Sequence, residues 1–344
     1  MLALTLFGPF QPKHISLLFE ITIMPFQSII STESGCPVIL LKNTLTGCEA
    51  EIYGFGGILN AFRIPNHQKV QNVIEGFDSV QDAKDNLTNG FKSAKLSPFV
   101  CRMHKGQFTF GASEYTIQKH FLGVHAIHGL LYDAIYQIVE TESEENKASV
   151  TLVHQYSGTD PGYPFPYTVR IKWQLEETDD EDIKGNQLTV TTHVSHENLQ
   201  SIPLADGWHP YFTLGGSLDD YTIQFDSESQ FEFNAELIPT GKKIPDTRFM
   251  NGCSLKGIEL DNSFVLSPNV IQPKCVLQND QLQLIVLPGS AYPILQIYIP
   301  NHRKSIAIEN LSGAPDNFNN GMGLVLLRPG EVKIFETAYI VFGR

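Results

Sequence analysis

Two stretches of this chain have the makings of an acid/base site. In Asp206-Gly207-Trp208-His209-Pro210-Tyr211-Phe212 a histidine sits between aromatic residues and directly before a proline. Proline fixes its own φ and biases the preceding residue towards an extended backbone, so the imidazole of His209 is aimed by stiff chain. In Ser305-Ile306-Ala307-Ile308-Glu309-Asn310 a lone glutamate ends an apolar run, about where a strand would deliver it to a cleft. Taken alone, His209 reads as a core histidine with one satisfied ring nitrogen. Beside a carboxylate in such a setting it reads as half of a general acid/base pair.

Other motifs lie on either side of these two. They are Ser97-Pro98-Phe99-Val100-Cys101-Arg102 with Gly106-Gln107-Phe108-Thr109-Phe110, His125-Ala126-Ile127-His128-Gly129, Gly162-Tyr163-Pro164, Leu260-Asp261-Asn262 and the closing Leu327-Arg328-Pro329-Gly330-Glu331. In this order, together with the His209 and Glu309 segments, the set resembles the aldose 1-epimerase (galactose mutarotase) family. The resemblance implies an all-β supersandwich of stacked, mostly antiparallel sheets. It also implies interconversion of the α and β anomers of free aldohexoses without a cofactor or metal. On it, Glu309 is the catalytic base at the C1 hydroxyl and His209 the acid at the ring oxygen, while Arg102, His128 and Asp261 bind the sugar. Ordinary values agree, since a carboxylate is ionised at neutral pH and an imidazolium near ~6.5 can hold a proton to give.

The match has departures. Leu130 stands where a second glycine is common, Met103-His104 follows Arg102, and Asn310 replaces the usual proline after the base. Each residue also has a plainer reading. Asp261 could cap a strand through an Asx turn. His125 and His128 form an H-x-x-H with His104 and His120 nearby, but a zinc site needs a third ligand at fixed spacing, so His104, His120 and His125 read as surface or supporting groups. Of Trp208, Tyr163, Tyr211 and Phe212, one or two are expected to line a cleft and the rest to be core.

The elements that must position these residues read as strands. Short runs rich in Val, Ile, Phe, Tyr and Thr, closed by Gly, Asn, Asp and Pro, recur from Phe26 to Phe342, and only residues 76–89 suggest a helix. A strand is predicted over Tyr132–Glu140. The acidic tracts Glu140–Asn146 and Glu176–Asp182 are predicted hairpin tips. No linker divides residues 24–344, which read as one domain, with 1–23 an N-terminal extension broken by Pro9, Pro12, Lys13 and Glu20 and unlike a membrane span or signal peptide.

Over 344 residues the composition is ordinary for a globular chain, 42% hydrophobic and 18% charged. A formal charge of −13 disfavours nucleic acid and anionic membrane as partners and suits a neutral small molecule. Five scattered cysteines without C-x-x-C spacing read as reduced thiols of a cytoplasmic protein, expected as a monomer or homodimer. The nearest rival function is a hexose-6-phosphate mutarotase, which needs a basic cradle where the motifs supply only Arg102 with Lys105 nearby. A non-catalytic sugar-binding protein would not need both Glu309 and His209. A glycoside hydrolase needs two flanking carboxylates, for which Asp261 and Glu309 could be offered, but leaves the His-Pro-Tyr-Phe run unexplained.

Overall fold

The computed structural model describes residues 24–66, 69–178, 185–270 and 274–344 of the chain; the extension expected over 1–23 lies outside the described residues. Alternation of burial along the strands decides the layers. Asn186–Ser195 buries every second residue and Tyr167–Glu177 nearly so, as expected when one sheet face meets the core. Among the described residues these two belong to an antiparallel sheet of nine strands. Its order is Gln137–Ser143, Lys147–Tyr156, Tyr167–Glu177, Asn186–Ser195, Val332–Gly343, Leu282–Pro288, Cys275–Gln278, Thr222–Phe225 and Cys253–Ser254.

A second sheet carries the chemistry-bearing segments. Its order is Pro239–Pro245, Ser227–Phe233, Asp261–Leu266, Ile294–Tyr298, Ile306–Leu311, Gly207–His209 and Ala94–Leu96, with Tyr211–Phe212 also paired to Ile306–Leu311. All six residues of Ile306–Leu311 are buried, as for a strand covered on both faces. The sheets meet through the rings of Trp173 and Trp208, 5.3 Å apart, and of Phe212 and Tyr339, 5.4 Å apart. A five-stranded meander from Phe26–Glu33 to Lys69–Asn72 is tied to the nine-stranded sheet where Ser28 Oγ donates to Ser149 O at 2.9 Å.

The expected helix forms over Val80–Asn86, where Ser79 Oγ accepts from Asp82 N at 3.0 Å and Val80 and Ala83 supply the buried face. Two boundaries differ from expectation. The strand predicted from Tyr132 begins at Gln137, because Tyr136 N and Ala134 O are already bonded to Gly54 O and Gly56 N across a turn. That strand then runs on to Ser143, so only the end of the Glu140–Asn146 tract forms a tip. Glu142 is held there by Lys172 at 3.0 Å and Ser149 at 2.7 Å. No helix among the described residues is long and apolar enough to cross a membrane.

Candidate active site

The two-residue period of a strand explains how His209 and Glu309 come to face one space. Trp208 points between the sheets to Trp173, so its neighbour His209 points to the other face. Asn310 likewise points between the sheets, donating from Nδ2 to Thr337 Oγ1 at 2.9 Å, which turns Glu309 the same way as His209. Cross-strand register adds Gln296 opposite Glu309, Ser263 opposite Gln296, and Asp261 opposite Tyr298. Together with loop residues, His209, Glu309, Gln296, Asp261 and Tyr298 line a cleft of about 300 Å³, with Ser263 buried behind Gln296.

At its floor His209 Nε2 lies 3.3 Å from Glu309 Oε1, with both side chains buried. The His128 ring stands edge-on to His209 with centroids 5.0 Å apart, and Tyr211 stacks on its other side at 5.1 Å. His128 is placed by backbone: its N–H donates to Cys101 O at 2.9 Å, and Leu130 N donates to Ser97 O at 2.7 Å. Between them Gly129 passes so close that a Cβ would lie 2.1 Å from Ser97 O, and its φ is +79°. Only glycine fits there. Leu130 is buried, so the residue after the turn packs. Arg102, half-buried beside Cys101, makes no side-chain hydrogen bond among the described residues, which leaves its donors free for a ligand.

Burial sets the electrostatics. It pushes the Glu309 carboxyl well above its usual range, the Asp261 charge adding to the rise and Arg102 opposing it. It pushes His209 down from 6.5 to about 4, against a smaller opposing contact with its own backbone. His128 is held well below the usual imidazole range by burial, then by His209 and Arg102. These directions run opposite to the charged forms that ordinary values give, because a buried site penalises the charged form of each group. In each group burial favours the neutral form.

The family model described as aldose 1-epimerase matches residues 37–339. The chain belongs to the aldose 1-epimerase family. Two relatives of this epimerase-family chain are bacterial proteins. The uncharacterized protein YihR of Escherichia coli K12 is 26% identical over 246 residues, 69% of this chain and 74% of YihR. The aldose 1-epimerase of Streptococcus thermophilus is 25% identical over 195 residues, 55% of this chain and 53% of that enzyme. A solved galactose 1-epimerase from Lactobacillus acidophilus shares the fold, with a TM-score of 0.77 at 16% identity over 93% of this chain and 99% of that one. The all-β galactose mutarotase-like architecture is therefore this chain's own.

All five residues singled out in the sequence, Arg102, His128, His209, Asp261 and Glu309, line this same cleft of the epimerase-family fold. Asp261 opens a strand and accepts from Gln296 Nε2 at 2.8 Å, so its carboxylate is turned into the cleft. Of the four aromatics only Tyr211 lines it, while Trp208, Tyr163 and Phe212 are core. The H-x-x-H histidines part company: His125 Nδ1 accepts from Lys105 N at 3.0 Å, away from His128. His120 bridges Gly129 O and Asp133 Oδ2, each at 3.0 Å, and so braces the turn that carries His128. Sequence reasoning missed Gln296 and Cys101. A lone amide in the apolar run Ile294–Tyr298 was a signal for the first; the second had none.

Proposed function

We propose that the protein is an aldose 1-epimerase acting on free, uncharged aldoses. One observation carries this reading: an imidazole and a carboxyl 3.3 Å apart on the floor of a sugar-sized cleft. Anomer exchange needs one group to take the proton from the C1 hydroxyl and another to protonate the ring oxygen, after which the C1–C2 bond turns and the ring recloses. Transfer of a proton from the Glu309 carboxyl to the His209 imidazole across the 3.3 Å Nε2–Oε1 contact yields carboxylate and imidazolium. In that form Glu309 acts as base and His209 as acid. The Arg102 charge favours it by opposing the rise of Glu309. Arg102 and His128 supply donors to sugar hydroxyls, and Asp261, held by Gln296, accepts from them.

Phosphorylated sugars are the weaker reading. Among the described residues lining the cleft Arg102 is the single lysine or arginine, and a phosphate dianion calls for a cluster. The test is polarimetry or NMR saturation transfer over glucose, galactose, a pentose and their phosphates. Faster equilibration of the neutral sugars is expected. A higher kcat/KM for glucose 6-phosphate than for glucose and galactose, or no acceleration for any neutral aldose, rejects the assignment.

A further inference from the structure

Cys101 takes no part in the chemistry just described, yet it gives the cleft floor a second capability. Its Sγ, a ring nitrogen of His128 and a carboxylate oxygen of Glu309 all lie within 4.8 Å of one another, and all three residues are buried. Thiolate, imidazole and carboxylate are the donors that zinc and similar cations take in three-ligand sites with an open fourth position. We propose that the cleft floor binds a thiophilic divalent cation of the zinc class through Cys101, His128 and Glu309, and that the bound ion shuts out the sugar.

Several features support the site. Cys101 and His128 both hold left-handed backbone, with φ of +48° and +60°, and are tied by the His128 N–H to Cys101 O bond, so two donors are set together in advance. His128 Nδ1 and Glu309 Oε2 are buried without a hydrogen-bond partner among the described residues, so each side chain keeps an uncommitted donor atom at the cleft floor. Metal–ligand bonds of about 2.0–2.3 Å put the donors of a tetrahedral ion roughly 3.3–3.8 Å apart, so the three side chains need to close by at most about 1.5 Å. The His125–His128 spacing in the sequence points to a different ligand set, which the fold pulls apart.

The proton balance is simple. Forming the S–metal bond releases the Cys101 thiol proton to solvent, which a coordinated cation drives even where burial raises the thiol. Glu309 releases its proton when it carries one, and neutral His128 releases none. Binding therefore strengthens as pH rises, and no electron changes hands. The exclusion of sugar rests on the epimerase reading above; the ligation does not.

The experiment uses the full, metal-stripped chain titrated with Co²⁺ as a spectroscopic stand-in for Zn²⁺. One equivalent should give tetrahedral d–d bands and a thiolate-to-cobalt charge-transfer band, both erased by Zn²⁺. Cys101→Ser should abolish the charge-transfer band and weaken binding by more than about 100-fold, beyond the 10–100-fold typical of an outer partner. Cys253→Ser, which alters the half-exposed thiol, should leave the band intact. Glu309→Gln should weaken binding while retaining the thiolate band. A wild-type spectrum without the band, or a band that survives Cys101→Ser, overturns the site whether or not the protein epimerises sugars. Saturating galactose or glucose should raise the apparent Kd for Co²⁺, and an unchanged Kd in a chain that does epimerise these sugars overturns the exclusion.

Discussion

Two buried pairs of acid and base lie three residues apart on one stretch of chain, Lys95 with Asp206 and His209 with Glu309. The first is the tighter. Lys95 Nζ meets Asp206 Oδ1 at 2.5 Å, reaches Thr192 and Gly207 O at 3.4 Å and lies 4.5 Å from the Trp208 ring, while Tyr292 OH donates to the same Asp206 oxygen at 2.6 Å. The second meets at 3.3 Å and is opened to a cleft by the strand alternation that points Trp208 inward and His209 outward. In both, burial pushes the carboxyl up and the cationic partner down. Burial and perturbed titration are thus common to a core pair and the proposed catalytic pair, and access to a ligand separates them. The core pair also keeps the frame, since Asp206 exchanges hydrogen bonds with Ser312, its N donating to Ser312 Oγ at 2.8 Å and its O accepting from Ser312 N at 2.9 Å. Those bonds join the strands that carry His209 and Glu309.

Breaking each pair should therefore fail in a different measurement. Glu309→Gln should lower kcat on neutral aldoses by about 10²–10⁴-fold with KM nearly unchanged, as for a general base. His209→Asn should lose a similar amount, and the double variant less than the product of the two. Retention of more than about a tenth of wild-type kcat by Glu309→Gln, well above the range for a general base, would remove Glu309 from the chemistry. Asp206→Ala should instead cost about 3–5 kcal/mol of folding free energy in urea titration, because it strands a buried ammonium. Adding Lys95→Met should recover part of that loss; a double variant no more stable than Asp206→Ala would show that the cost is cavity and not charge.

Smaller effects sharpen the contrast. Gln296→Leu removes the donor that turns Asp261 inward and should cost about 1–3 kcal/mol, expressed mainly as a higher KM if Asp261 binds substrate. A fall in kcat alone would give Gln296 a different role. The slightest effect is on stability against pH. Glu309 is raised in the folded state, so its penalty on stability is absent below 4.5 and grows as pH rises above it. His209 is depressed to about 4, so its contribution is present above 6.5 and lost as pH falls towards 4. Wild type should lose stability relative to Glu309→Gln as pH climbs past 4.5. Parallel curves would mean that Glu309 is ionised in the folded protein.

The layered β architecture was legible because alternating β-branched and aromatic runs and their turn residues are local signals with a period of two. The strands read over Gln187–His196 and Glu331–Phe342 form within one residue of those bounds, at Asn186–Ser195 and Val332–Gly343. The five candidate residues stand out as members of short motifs, and their gathering in one cleft is a consequence of register that no motif states. Whether a strand begins at Tyr132 or Gln137 was not legible, since Gly54 and Gly56, far away in sequence, compete for the same backbone groups. Nor was the role of Asn310, whose amide spans the sheets to Thr337.

By itself, then, the sequence determined strand periodicity, the candidate acid and base and the acidic surface, all properties of neighbours along the chain. Tertiary structure alone decided the burial that shifts His209 and Glu309, the support of Asp261 by Gln296 and the approach of Cys101 to His128 and Glu309. Each of these depends on burial or on distance between residues far apart in sequence, and both are set only when the sheets close on one another.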